Sequence, residues 1–438
     1  MNNRPSKHVI PIFITLVLFA TQLFAITDEE LFRNFRFSFV NPGARATGMG
    51  NAFIALADDA TAAEANPAGL TILDKPEVSF EFRNTQFDPA TLNAINTFPP
   101  REQAVTIKSE NALDTLNRPS FFCVVYPRKT NVFAFSRQEA VRIGGNLNEI
   151  IQILLPKEGG GFIPLNVLNL TTANQNVVNW NFSFAHRFSK KLSVGGSIRY
   201  SHLDWKTDVN NFLLLDVNGQ QFPFPAFQTH VDDTDSAVAW NAGVLYQASS
   251  KLFLGAVYKK NAKFSVIETE TGDSAIKPGD FENVLKIPDI AGAGVRFEPN
   301  DKIIVSSDLV HVEYSDLMED FRPNYNYLTD TYPGIGFKID STYEFHVGAE
   351  FLIFWKEIPI ALREGYYYKP SNSLQIVSTA ELGPFDEQLV KVLFRKGNGA
   401  SHITIGNGVV LFSNFQIDWG LDYSKTETNL VISSVFRF

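Results

Sequence analysis

The sequence predicts an all-β chain: a transmembrane antiparallel β-barrel of about 14 strands, with an N-terminal segment folded as a hatch (plug) inside the lumen. Three observations predict it. Apolar and polar residues alternate with period two in stretch after stretch from Glu77 to the C-terminal Phe438. The segments between those stretches alternate between short turns and long insertions, as in outer-membrane barrels. Ahead of the first alternating stretch lies a compact run rich in Gly and Ala, Asn41 to Leu70, too polar for a membrane span and too apolar for a linker.

Composition agrees. The chain has 438 residues, of which 39 are Phe, and a mean hydropathy of -0.06, too low for a helical membrane protein. A barrel whose strands alternate lipid-facing and lumen-facing residues averages out in this way. The formal net charge of -9 argues against nucleic acid as a partner.

Arg4, Lys7 and the apolar run Val9 to Ala20 read as a secretory signal peptide covering residues 1–25, cleaved after Ala25 or, as a second option, after Ala20. The run is too short to span as a helix; a retained anchor helix is the alternative. Cys123 is the only cysteine, so no intramolecular disulfide can form.

The hatch is expected over residues 26–76. Thr27 to Val40 would form a short helix at the barrel floor. The core of the hatch carries Gly48 and Gly50, then the paired acids Asp58 and Asp59, and closes on Asn66, Pro67, Ala68 and Gly69. Asn, Pro and Gly at those positions suit a type I turn. Gly48-x-Gly50 is no dinucleotide-binding loop: Phe53 stands where the third glycine belongs.

The barrel is expected over residues 77–438. Asn414 to Tyr423 shows its pattern, with Phe415, Ile417, Trp419, Leu421 and Tyr423 on one face and Gln416, Asp418, Gly420 and Asp422 on the other. Thr342 to Phe351 and Val177 to Phe188 repeat it. A soluble sandwich also alternates, but its strands average about five or six residues. Strand starts fall near Glu77, Phe121, Asn131, Val177, Leu192, Ala237, Leu252, Leu285, Lys302, Thr342, Ile358, His402, Phe415 and Asn429. An even count puts both termini in the periplasm. Long insertions, among them Glu139 to Gln175 and Asp208 to Thr234, are expected as external loops. On the strand from Ile358, Glu364 shares the lipid-facing side with Leu362, which is mild only near an interface.

Gly48 to Phe53, Ala57 to Ala60 and Asn66 to Leu70 together resemble the N-terminal hatch of the FadL/TodX family of outer-membrane transporters of fatty acids and other hydrophobic compounds. Ile287-Pro288-Asp289 with the following hairpin, and Arg363 to Ser371, resemble later parts of the same family. The terminal strand from Leu430 to Phe438 resembles the signal read by the outer-membrane barrel assembly machinery. The resemblance implies a fourteen-strand barrel, expected as a monomer, passing hydrophobic small molecules such as fatty acids or aromatic hydrocarbons sideways through a gap in the wall. It also allows a second role: FadL-like barrels of the PorV kind act as scaffolds in protein secretion and surface attachment.

Catalytic and cofactor residues are not expected. The seven His fall in no HExxH pair, and no Cys cluster accompanies them, so no metal motif is present. GxSxG and P-loop motifs are missing, and a barrel-embedded lipid hydrolase would need a Ser/His pair that the pattern does not offer. Two features point to ligand binding. Phe212, Leu213, Leu214 and Leu215, followed by Phe222, Phe224 and Phe227, put more apolar surface on an external loop than solubility needs, and so suggest a hydrophobic groove. Arg199 and Arg363 fall on the lumen side, where either could meet a ligand carboxylate or pair with wall acids.

Overall fold

The computed structural model describes residues 40–87, 94–98, 103–113, 115–156, 162–217, 220–272, 279–320, 336–378, 397–412, 414–425 and 427–438. The signal peptide and the floor helix expected over Thr27 to Val40 lie outside them, apart from Val40. In the described residues no helix is long and apolar enough to cross a membrane.

The hatch opens with helix α1 (Ala44–Gly48), continues through helix α2 (Ala62–Ala65) and ends in the 3-10 turn Pro67–Ile72. Strands then follow in order: β1 (Glu77–Phe87), β2 (Ala94–Phe98), β3 (Gln103–Leu113), β4 (Leu116–Arg128), β5 (Asn131–Pro156), β6 (Phe162–Arg187), β7 (Leu192–Val217), β8 (Gln220–Gln247), β9 (Leu252–Lys260) and β10 (Lys263–Thr271). After these come β11 (Gly279–Lys286), β12 (Ile290–Asn300), β13 (Ile303–Val312), β14 (Gly336–Lys338), β15 (Thr342–Trp355), β16 (Ile358–Lys369), β17 (Gln375–Ser378), β18 (Ala400–Leu411), β19 (Phe415–Tyr423) and β20 (Glu427–Arg437).

Fourteen of these close into a ring. β1 pairs antiparallel with β4, and the ladder runs on through β5, β6, β7, β8, β9, β12, β13, β15, β16, β18, β19 and β20. β20 then pairs back onto β1, from Glu77↔Arg437 to Phe87↔Glu427. Closure leaves no free edge, which is what allows strands to sit in lipid.

Alternation decides which residues face out. Tyr343, Phe345 and Phe351 of β15 are exposed, whereas His346 and Glu350 are buried. On β19, Trp419 and Tyr423 face out while Asp418 and Asp422 are buried. Outward aromatics gather in two belts: Tyr126, Phe188, Tyr246, Trp355 and Phe438 at the short-turn end, and Tyr200, Trp240, Tyr343, Tyr366, Tyr368 and Tyr423 toward the other. Such belts mark the two interfaces of the bilayer. Glu364 does face out beside Leu362, one outward step from Tyr366, so the register stands and the carboxylate sits near an interface.

Several insertions expected as loops are instead strand. Glu139 to Gln175 and Asp208 to Thr234 continue β5 to β8, which reach 26, 26, 26 and 28 residues. At about 3.3 Å per residue such strands run roughly 85 Å, far beyond an apolar band about 25 Å tall. They project from the barrel as an outcrop, widened by β3 on β5 and by β10 on β8. The physical reason is visible in the residues: period-two alternation carries on through Leu203, Trp205, Thr207 and Val209, so cross-strand pairing continues where no lipid requires it. Short turns stand where the sequence puts them at Pro127 to Thr130, Ser189-Lys190, Ala248 to Ser250, Pro299 to Asp301 and Trp355 to Glu357; Lys129 and Lys356 turn two of them with positive φ.

Candidate functional site

Three parts of the lumen bear on function: the hatch latches, a break in the wall, and the inner face of the outcrop.

The hatch is fixed by its own peptide groups. Asp308 of β13 accepts from the Phe53 and Ile54 backbone N–H at 2.6 and 2.8 Å. His346 Nδ1 lies 2.8 Å from the Gly50 carbonyl, and Thr404 Oγ1 accepts from Gly50 N at 3.0 Å and donates to the Gly48 carbonyl at 3.2 Å. Asn66 donates to the Ile54 carbonyl at 2.9 Å and to Val244 of the wall at 3.2 Å, and accepts from Ala68 N. The Asn66–Ala68 turn is thus tied to β8. Buried donors and acceptors left unpaired would cost about 1–3 kcal/mol each, so these bonds specify one seating.

Wall glycines make that seating possible. A Cβ at Gly348 would stand 2.2 Å from the Met49 carbonyl, and one at Gly243 would stand 2.0 Å from Asn66 Oδ1. Gly50, at φ 62, has its own Cα close against β15 and β16. These explain mid-strand glycines that otherwise weaken a sheet.

Charge completes the latch. Arg45 donates from Nε and Nη2 to the two oxygens of Glu350 at 2.8 and 2.9 Å and also pairs with Asp58. Asp58 meets Arg296 of β12 at 3.2 Å. Burial opposes the charge on Arg45, but the carboxylates of Asp58 and Glu350 outweigh it and hold the guanidinium protonated. Asp59 is buried and caps Thr61 N at 2.9 Å. Burial pushes its carboxyl above the usual carboxylate range, with Arg45 acting against the shift.

The two arginines singled out in the sequence both meet protein carboxylates. Arg363 donates to Glu350 at 2.6 Å and Asp418 at 2.7 Å, and belongs to the latch network. Arg199 donates to Glu64 of the hatch at 2.6 Å, and Lys259 adds a contact to the same oxygen at 3.3 Å. Arg199 also lines a lumen pocket with Gln138, Ala140, Val177, Asn261 and Ile287.

Ala140 marks the break. Pairing of β4 with β5 stops at Phe121↔Gln138, and β5 skips Ala140 in its register with β6 between Glu139 and Val141. Backbone pairing on that side resumes only at Gly145, with β3. Among the described residues, Glu139 to Gly144 of β5 therefore have no backbone partner on that side, and Arg118 of β4 pairs with Glu139 across the interruption. A pocket lies against it, lined by Arg83, Arg118, Ala140, Val141, Arg142 and Ile143, among others.

The predicted groove residues sit at the hairpin tip of β7 and β8. Phe212, Leu213 and Leu214 are half-buried, Leu215, Phe222 and Phe224 are exposed, and the Phe227 side chain lies outside the described ones. Leu213 opposes Phe224 and Leu215 opposes Phe222, so the four share one face. By alternation that face continues down β7 through Val209, Trp205 and Leu203 to Ser201 and Arg199. Val231, Phe264, Val266 and Leu285 add further buried apolar side chains on the neighbouring strands. Sequence reasoning missed this inner stripe because it treated the region as loop; the period-two signal was present there.

A closed barrel stopped by its own N-terminal segment, with an interrupted wall beside an internal pocket, defines a plugged transmembrane channel. The chain belongs to the outer membrane protein transport protein family (OMPP1/FadL/TodX), whose family profile matches residues 170–388. Residues 24–103 also match an uncharacterised family, UPF0164. No curated protein sequence matches the chain. Solved structures share its fold: the toluene transporter TbuX of Ralstonia pickettii (TM-score 0.58, 16% identity, 92% of this chain and 99% of that one) and a FadL homologue of Pseudomonas aeruginosa (0.59, 11%, 91% and 99%). The toluene transporter TodX of Pseudomonas putida is similar to the same degree (0.55, 12%, 92% and 99%).

Proposed function

We propose that this protein is a passive channel for hydrophobic small molecules, with its short turns and both termini in the periplasm and its outcrop outside the cell. The observation that carries the reading is that the face of Leu215 and Phe224 at the tip runs down β7, past the polar Asn211 and Thr207, through Val209, Trp205 and Leu203 toward the pocket above the hatch. Burying apolar surface at about 25 cal/mol per Å² draws such a solute down the stripe. The break at Ala140 then gives it a side exit into the outer membrane. Arg142 beside the break, where Arg83 and Arg118 pair with Glu81 and Glu139, suits an amphiphile with a carboxylate head, such as a long-chain fatty acid, while an aromatic hydrocarbon needs no such partner; Arg199 in the neighbouring pocket, paired with Glu64 of the hatch, is the next candidate for the head group. The solved transporters of toluene with this fold support the class.

The test is uptake of labelled oleate and of labelled toluene by a bacterium deficient in both, expressing this chain. Replacing Leu215, Phe222 and Phe224 together by Ser should cut uptake several-fold, since these side chains are exposed and the barrel does not depend on them. Undiminished uptake removes the groove from the mechanism. A second reading, a PorV-like scaffold for protein secretion or surface attachment, is favoured by the length of the outcrop; it predicts no uptake of either compound by the wild-type chain.

A further inference from the structure

Three consecutive barrel strands bring a nitrogen and two carboxylates to one point at the outcrop end of the lumen. His402 stands near the start of β18, Asp422 near the end of β19 and Glu427 at the start of β20. One candidate ligand atom from each lies within 4.8 Å of the others, and all three residues are buried. His402 Nδ1 is 2.9 Å from one oxygen of Asp422, and the Tyr367 hydroxyl donates to the other at 2.7 Å. The Tyr367 ring stacks on the His402 imidazole, with centroids 4.1 Å apart and planes 15° from parallel, so the imidazole is held in orientation. Glu427 Oε1 is buried and has no hydrogen-bond partner.

Charge makes this cluster unusual within the chain. Two buried carboxylates against a single imidazole leave net negative charge even when the imidazole is protonated, and burial of such charge is costly without a cation. A second acidic cluster, Asp289 with Glu313 and Asp316, has its cation built in. Lys286 Nζ meets Asp289 at 2.6 Å and Asp316 at 3.2 Å, and Lys260 meets Asp289 at 2.6 Å. Among the described residues, no lysine or arginine nitrogen pairs with Asp422 or Glu427; His402 is the sole basic partner.

We propose that His402, Asp422 and Glu427 form a binding site for one divalent transition-metal ion of the zinc class. One imidazole nitrogen with two carboxylate oxygens is a zinc-type donor set, too poor in oxygens for calcium. Bonds of about 2.0–2.2 Å to each ligand put tetrahedral ligands roughly 3.4 Å apart. His402 and Asp422 are already that close, and the unbonded carboxylate of Glu427 needs only to rotate inward. Tyr367 keeps its hydrogen bond to Asp422 and so orients a ligand rather than serving as one. A bound ion would staple β18, β19 and β20 at the mouth, beside the β20–β1 seam that closes the barrel. The three ligands come from separate strands, so no spacing motif announced them.

The experiment uses the full-length protein in detergent, stripped with a chelator, exposed to zinc chloride and desalted. The wild type is expected to retain one zinc per chain. Glu427→Gln should lower zinc affinity by at least 10-fold while leaving the barrel folded, because Glu427 Oε1 bonds nothing in the fold. Tyr367→Phe should weaken it by about 10-fold, in the range for a lost orienting partner. His402→Gln should abolish retention, with heat-modifiable gel mobility confirming that the barrel is intact. Zinc retained equally by wild type and Glu427→Gln, or by neither, overturns the proposal.

Discussion

Gly195→Ala is the sharpest probe of how the hatch is held. Gly195 of β7 faces the turn that ends the hatch, and a Cβ there would stand 2.5 Å from the Pro67 carbonyl carbon and 2.6 Å from Ala68 N. An ordinary contact needs about 3.4 Å, so wall and turn must part by about 0.9 Å, and both are backbone. Overpacking of this kind costs about 1–3 kcal/mol, which is roughly a 5- to 150-fold shift in favour of the unseated hatch. The chain carries its own reporter. Cys123 is fully buried on the lumen side of β4 in one cluster with Met49, Phe53, Leu56, Leu70 and Leu73 of the hatch. Maleimide labelling of Cys123 in the folded barrel therefore tracks hatch opening when opening is fast. Gly195→Ala should label about 5- to 150-fold faster than wild type. Gly144→Ala, whose Cβ meets only Leu116 at 3.5 Å, should label at the wild-type rate. If Gly195→Ala also labels at the wild-type rate, the hatch is not held by close backbone contact with β7, and the seating argument fails.

Two more predictions concern the same part. Asp308→Ala strips the Phe53 and Ile54 N–H groups of their acceptor, at about 1–3 kcal/mol for each buried donor left unpaired; limited proteolysis should then cut the hatch near residue 54, while the barrel resists. Asp59 gives a pH dependence of known sign. Its carboxyl is raised above the ordinary value by burial, so the folded state binds the proton more tightly than the unfolded one. That contribution to stability is complete below the unfolded pKa and is lost as pH rises through the folded one. Asp59→Asn should remove this slope, so that wild type loses hatch protection relative to the variant on going from acid to neutral pH. Parallel slopes in Cys123 labelling between pH 4 and pH 8 would refute the assignment.

Much of this architecture is written in local pattern. The fourteen wall strands follow from period-two alternation, because a slip of one residue would turn every lipid-facing Phe into the lumen. Starts at Glu77, Asn131, Leu192, Leu252, Thr342, Ile358 and Phe415 match the structure to the residue; Asn131, Leu192, Leu252, Ile358 and Phe415 each follow a short turn whose geometry fixes the register. Most starts that open on the outcrop side were read too late, whereas Leu285 was read too early: it falls in β11, outside the ring, and the wall strand there begins at Ile290. Val177 and Ala237 lie well inside β6 and β8, because the sequence offers no lipid boundary at which a strand must stop.

What the sequence by itself determined was therefore the barrel, its strand number, which side of each strand meets lipid, and the presence of a compact small-residue segment ahead of it. Alternation and turn chemistry are local, so one chain suffices to read them. Only the tertiary structure decided which partners the buried charges take: Arg45 with Glu350 across 305 positions, Arg199 with Glu64, and His402 with Asp422 and Glu427. It also placed the wall break at Ala140 and joined the tip of β7 to the lumen. Such pairings depend on how strands distant in sequence meet around a closed ring, and no spacing along the chain encodes that distance.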